Sequence, residues 1–203
     1  MSAKQPMAES RSNLAELVEL NRFVGREVLL WLWFESELYD TNLSPSTGDP
    51  FSLWLETQIT LASEAEETRI KAAMPGAAPE AKQALRQGKL PTTTRMTAML
   101  GGAEFRWSFK ADQLALGTLK VPAELKAEED KYEALYDRMR LVELLERQLE
   151  ALYKDFVTLR LDAAWERSIV PELRRWARGK EVDEPAYTKL KAKIVKRPKR
   201  DVS

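Results

Sequence analysis

Four glutamates, Glu27, Glu35, Glu37 and Glu56, are the side chains of this 203-residue sequence best suited to chemistry. Gathered in one place they could hold a Mg²⁺ ion for phosphodiester cleavage, because hard cations favour carboxylate oxygens and a bound metal activates water. Nuclease sites of that kind combine Asp and Glu with a nearby Lys in a recognisable spacing, and no such spacing is visible here. Solvated or helix-pairing acids are the simpler account of these four. The chain contains no histidine and no cysteine. Their absence removes imidazole bases, thiolate and imidazole metal sites, Ser-His and Cys-His nucleophiles, and disulfides. Any enzyme would have to run on carboxylates, lysines, tyrosines or a Ser-Lys pair. The expectation is therefore a protein that is not an enzyme and uses no metal or cofactor.

Cations offer a second kind of chemistry. Arg95, Arg106 and Lys110 fall on one face of a predicted hairpin, with Thr93, Thr97 and Ser108 beside them as hydrogen-bond donors. Such a face could follow phosphates, although an ordinary solvated sheet face would look the same. The formal charge is zero, but Lys189–Ser203 carries seven cations against one acid. The residues before it hold 25 basic and 31 acidic groups, so an acidic body precedes a basic end. Lys189, Lys191, Lys193, Lys196, Arg197, Lys199 and Arg200 would release counterions on meeting a nucleic acid, with no aromatic among them to stack bases. A solubilising end is the bland alternative. Gly76 and Gly101-Gly102 lie in no phosphate-binding loop, since neither is followed by Gly-Lys-Ser/Thr.

The elements that must position these residues follow from periodicity. Residues 1–12 read as a disordered leader, 13–179 as a single domain and 180–203 as a basic tail. Asn13 followed by Glu16 resembles a capping box and opens a helix running to about Tyr39. Its apolar run Val28–Phe34 includes Trp31 and Trp33, which point to nearly opposite sides of a helix and demand cover on more than one face. Seven apolar residues are too few to cross a bilayer. Phe51–Leu61 reads as one strand or as a tight hairpin about Glu56-Thr57, and Arg69–Ala73 as a short strand. Pro79 suits the first turn of a helix that stops at Gly88.

Leu100-Gly101-Gly102-Ala103 supplies the two positive-φ residues of a tight hairpin turn. Pairing outward places Thr94, Met96 and Ala98 opposite Phe109, Trp107 and Phe105, and the polar set on the other face. Leu114–Val121 reads as the next strand. Leu135, Met139, Val142, Leu145, Leu149, Leu152, Phe156 and Leu159 then recur at helical spacing. A last helix spans roughly Asp162 to Arg178, with Pro171 a kink or break and Gly179 a stop.

Three blocks carry a family resemblance: Phe23–Glu37, Glu80–Pro91 with its Gly88-Lys89-Leu90-Pro91 end, and Asp137–Leu141 leading to Leu152–Arg160 and Trp165. Together they resemble the later half of divergent members of the RdgC family of recombination-associated DNA-binding proteins. The resemblance implies sequence-independent binding to double-stranded DNA, as a dimer closing around the duplex and limiting access of the RecA recombinase. The family has also been labelled an exonuclease, without a catalytic motif that carries over to these residues. This chain resembles only the later half of full-length members, so a homodimer or a partner chain would have to supply what the front half contributes to ring closure.

The fold expected is α+β: an antiparallel sheet of four or five strands, a long N-terminal helix and a C-terminal helical segment packed on it. The function expected is non-enzymatic, phosphate-directed DNA binding of the RdgC type. A protein-interaction module with an acidic helical body is the alternative, and a carboxylate-metal nuclease the next. The N-terminal residues are polar and lack the apolar core of a signal peptide, which leads to an expectation of a cytoplasmic, nucleoid-associated protein without membrane contact.

Overall fold

The computed structural model describes residues 24–122 and 131–196. α1 (residues 24–38) lies at the centre of the core. Leu29, Trp31, Trp33 and Phe34 are all buried, so the helix is covered on every side. Trp31 packs against Phe156 at 5.7 Å between ring centroids, and Trp33 meets Trp176 edge-on at 5.0 Å. The two-residue offset thus sends the indoles to different partners, as the sequence demanded. Asn13 and Glu16 lie outside the described residues. A Cβ on Gly25 would stand 1.9 Å from the carbonyl oxygen of Ala111, so glycine lets the helix start hard against that turn. The helix ends where Asp40 and Thr41 both turn left-handed, and the Thr41 N–H donates to the Ser36 carbonyl at 2.7 Å.

Six strands form one antiparallel sheet: β1 (Asn42–Leu43), β2 (Phe51–Ala62), β3 (Glu67–Lys71), β4 (Leu90–Leu100), β5 (Ala103–Lys110) and β6 (Ala115–Lys120). Their order is β1-β2-β4-β5-β6, with β3 pairing the second half of β2. The fold is α+β, with one strand more than expected. In the hairpin Gly101 and Gly102 take φ values of 58° and 80°. Every anticipated pair is present, from Met99 with Glu104 to Thr93 with Lys110. Phe51–Ala62 is a single strand, and the irregularity at Glu56-Thr57 is a bulge rather than a hairpin. Its register jumps from Glu56 opposite Arg95 to Ile59 opposite Thr94, with Thr57 at φ 56°.

α2 (Pro79–Arg86) starts on its proline and gives way at Gly88, φ 83°. α3 (Lys131–Leu161) buries Leu145, Leu152, Phe156 and Leu159. Its first turns stand clear: Leu135 and Met139, expected in the packed stripe, are 54% and 51% exposed. A π-helical turn (Trp165–Ile169) precedes α4 (Val170–Ala177), which carries Pro171 in its first turn. Proline cannot donate a backbone hydrogen bond, and the widened turn absorbs that loss. Gly179, φ 68°, follows α4. α5 (Glu184–Val195) begins on Asp183, whose side chain accepts from the Ala186 N–H at 3.0 Å. Among the described residues no helix is long and apolar enough to cross a membrane.

Candidate nucleic-acid interface

The four glutamates do not converge. Glu27 accepts from Arg160 Nε at 2.8 Å on α3, while Glu56 faces Arg95 across the β2–β4 ladder. Glu37 accepts from Trp33 Nε1 at 2.5 Å, from Trp176 Nε1 at 2.7 Å and from Lys82 Nζ at 2.7 Å. The Lys82 ammonium also sits 3.3 Å from the Trp176 ring centroid and 4.9 Å from that of Trp33. Desolvation between the two indoles pulls this amine down to about 8, with the Glu37 carboxylate opposing the shift. Glu35 is fully buried and accepts from Tyr187 OH at 2.7 Å and from Lys191 Nζ. Burial raises its carboxyl above the usual range, and Lys191 partly offsets that. Tyr187 in turn accepts from Trp31 Nε1 at 3.0 Å. Among the described residues no cluster of three or more acids is placed to hold a metal ion.

These contacts correct the reading of the basic end. Residues 184–195 form a docked helix, not a tail, and Tyr187, Lys191 and Ile194 are its buried side. Lys191 is 9% exposed and committed to Glu35, so it cannot contact a phosphate. Lys189 and Lys193 on α5 and Lys196 at its C-terminal cap stay exposed, and α5 meets the body through α1 and α3. Arg197, Lys199 and Arg200 lie outside the described residues.

The hairpin cations have a different setting. Strand alternation puts Leu53, Leu55, Met96, Ala98, Phe105 and Trp107 on the buried inner face of the sheet. The opposite parity defines an outer face. Arg95, Arg106 and Lys110 project from it and are all exposed. The ladders add residues that sequence inspection missed. Lys120 on β6 lies opposite Arg106, Arg69 on β3 lies opposite Thr60, and Lys71 lies opposite Gln58. Trp54 lies opposite Thr97 in the same row. Their signal was present in the predicted strands around Leu114–Val121 and Arg69–Ala73, but required knowing which strands are neighbours.

Arg106 Nε contacts Glu104 Oε1 at 2.5 Å, with both side chains about half exposed. Among the described residues no ion pair engages Arg69, Lys71, Arg95, Lys110 or Lys120. The expected hydroxyl donors are less available than the cations. Ser108 Oγ donates to the Gly117 carbonyl at 2.9 Å, and Thr97 is fully buried with no partner for its hydroxyl. At the end of the face near Lys110, a cleft of about 510 Å³ is lined by Glu64, Glu66, Glu67 and Asp112 as well as Arg26. Asp112 and Glu66 are paired with Arg26 and Lys89, so Glu64 and Glu67 are the acids that bound the cationic surface on this side.

No family model, curated protein or solved structure matches this chain.

Proposed function

We propose that this protein binds double-stranded DNA without sequence preference and without catalysis, as an RdgC-type protein that modulates recombination in the bacterial cytoplasm and nucleoid. The observation that supports the reading is the outer face of the sheet, where Arg69, Lys71, Arg95, Lys110 and Lys120 are exposed and, among the described residues, in no ion pair, while Arg106 is shared with Glu104. Cations of this kind follow a phosphate backbone, and the counterions they displace supply affinity whatever the base sequence. Arg95, Arg106, Lys110 and Lys120 contribute from three adjacent strands, with Arg69 and Lys71 extending the face toward β3. Lys189, Lys193 and Lys196 on α5 form a separate, secondary patch.

A duplex titration across a salt series tests this. Replacing Arg95, Arg106 and Lys110 together by Gln will weaken binding alike for unrelated duplexes. The log–log salt slope will fall by up to about 2.7, since each lost phosphate contact removes about 0.9. An unchanged slope and affinity would defeat the proposal.

A protein-interaction role is favoured by one specific surface. A groove of about 670 Å³ runs between β6 and the first turns of α3, with Leu119, Val121, Leu135, Met139 and Val142 along it and Lys120, Arg138 and Glu143 at its charged edge. Exposed apolar surface of this kind marks interfaces. In this reading it is where the second copy of a homodimer docks.

A further inference from the structure

Of the six tryptophans, five are buried in the core and Trp54 is not. It stands on β2 between Leu53 and Leu55, which point inward, so alternation directs its ring to the outer face. There it makes no hydrogen bond and no ring contact with any described residue. Its cross-strand row runs through Thr97 to Arg106 and Lys120, and Arg95 lies diagonally beside it. Its ring is partly exposed on a face that carries Arg95, Arg106 and Lys120, with Glu56 and Glu104 interspersed. The core already lies on the other side of the sheet. Beneath the same row, the Thr97 hydroxyl is buried without a partner.

We propose that Trp54 is a stacking platform for an unpaired nucleobase, which makes the outer face a surface for single-stranded nucleic acid as well as for duplex phosphates. The proposal rests on the reading that this face binds nucleic acid. Every base has a π-face, so stacking on an indole is tolerant of sequence and compatible with a phosphate-directed binder. A base on Trp54 would place its flanking phosphates over Arg95 and toward Arg106, two strand spacings or about 10 Å away. Within a duplex the base faces are already stacked, so Trp54 has nothing to engage except at ends, gaps or opened pairs. The geometry therefore predicts a separation of functions: the cations serve both nucleic-acid forms, and the indole serves the single strand.

Fluorescence anisotropy with a labelled oligothymidylate, a mixed-sequence single-stranded RNA and a blunt duplex separates these roles. Trp54→Leu will weaken binding of the single strands about tenfold, with the salt slope preserved. Duplex binding will change far less, and Trp54→Phe, which keeps an aromatic face, will retain most single-strand affinity. The DNA and RNA arms show which backbone the face accepts. Single-strand binding by Trp54→Leu equal to wild type overturns the stacking role, even where the triple Gln variant still weakens every ligand. Wild-type protein that binds none of the three ligands overturns both this proposal and the reading beneath it.

Discussion

On the helical side of the sheet, Lys191, Lys82 and Arg160 are each matched to one glutamate of α1: Glu35, Glu37 and Glu27 respectively. On the outer face Arg95, Lys110 and Lys120 are exposed and, among the described residues, in no ion pair. The side chains are of the same types, and their settings are opposite. A buried ammonium keeps its charge at the expense of solvation and needs a carboxylate beside it, whereas a solvated one stays available to an external anion. Counting cations along the chain therefore says little about phosphate binding. Their partners decide it. The basic stretch at the end of the described sequence contributes a helix lock, while a thinly charged sheet face holds cations outside any ion pair among the described residues.

The sharpest way to break this comparison is at Lys191. Lys191→Met leaves the Glu35 carboxylate buried without its counter-charge and will destabilise the fold by about 3–5 kcal/mol. Urea denaturation measures that loss, and the double variant Glu35→Leu, Lys191→Met will recover most of it. A single-variant cost under about 1 kcal/mol would put Lys191 among ordinary exposed lysines.

The Lys82 site gives a smaller effect with a defined pH signature. Its folded value of about 8 lies below the ordinary lysine value of 10.5, so between these the unfolded chain binds more protons. Its contribution to stability is present above the unfolded value and is lost as pH falls through about 8. Stability will thus rise from pH 8 toward pH 10 through this group, by at most about 3 kcal/mol over the full shift. Lys82→Met will flatten that rise in urea titrations. An identical slope in both proteins would remove the linkage.

The smallest effect belongs to the exposed lysines of α5. Replacing Lys189, Lys193 and Lys196 by Gln will leave the melting temperature within a few degrees and reduce duplex affinity less than the triple change on the sheet. A larger loss than the sheet variant gives would reverse the ranking of the two surfaces. Removing residues 189–203 altogether makes a poorer test, because it also takes away Lys191 and Ile194 from the buried side of α5.

The hairpin was legible in detail because two glycines pin the turn and alternation then assigns every partner. At Thr57 the break in the strand was legible but its form was not. A hairpin turn and a bulge both call for an unusual backbone residue, and the neighbouring strand decides between them. α5 was hidden for a different reason. Tyr187, Lys191 and Ile194 share one helix face, but a lysine at the middle position conceals that face until its counter-charge, 156 residues earlier, is brought beside it. Lys120 and Trp54 were readable as outward positions on their own strands. Neither could be joined to the hairpin cations before the β2–β4 and β5–β6 pairings were known.

The junction of α1 with α5 also bears on when the protein becomes itself during synthesis. The most apolar helix of the described chain emerges early, and the helix that supplies Tyr187 and Lys191 emerges some 150 residues later. At translation rates of about 5–20 residues per second, roughly 8 to 30 s separate the two on the ribosome. Throughout that interval Glu35 has no ammonium to face, and the indole N–H of Trp31 lacks the phenol oxygen that accepts its hydrogen bond. The nascent chain must hold its central helix in a provisional arrangement, shielded by the sheet or by a chaperone, until nearly all of the described sequence has been made.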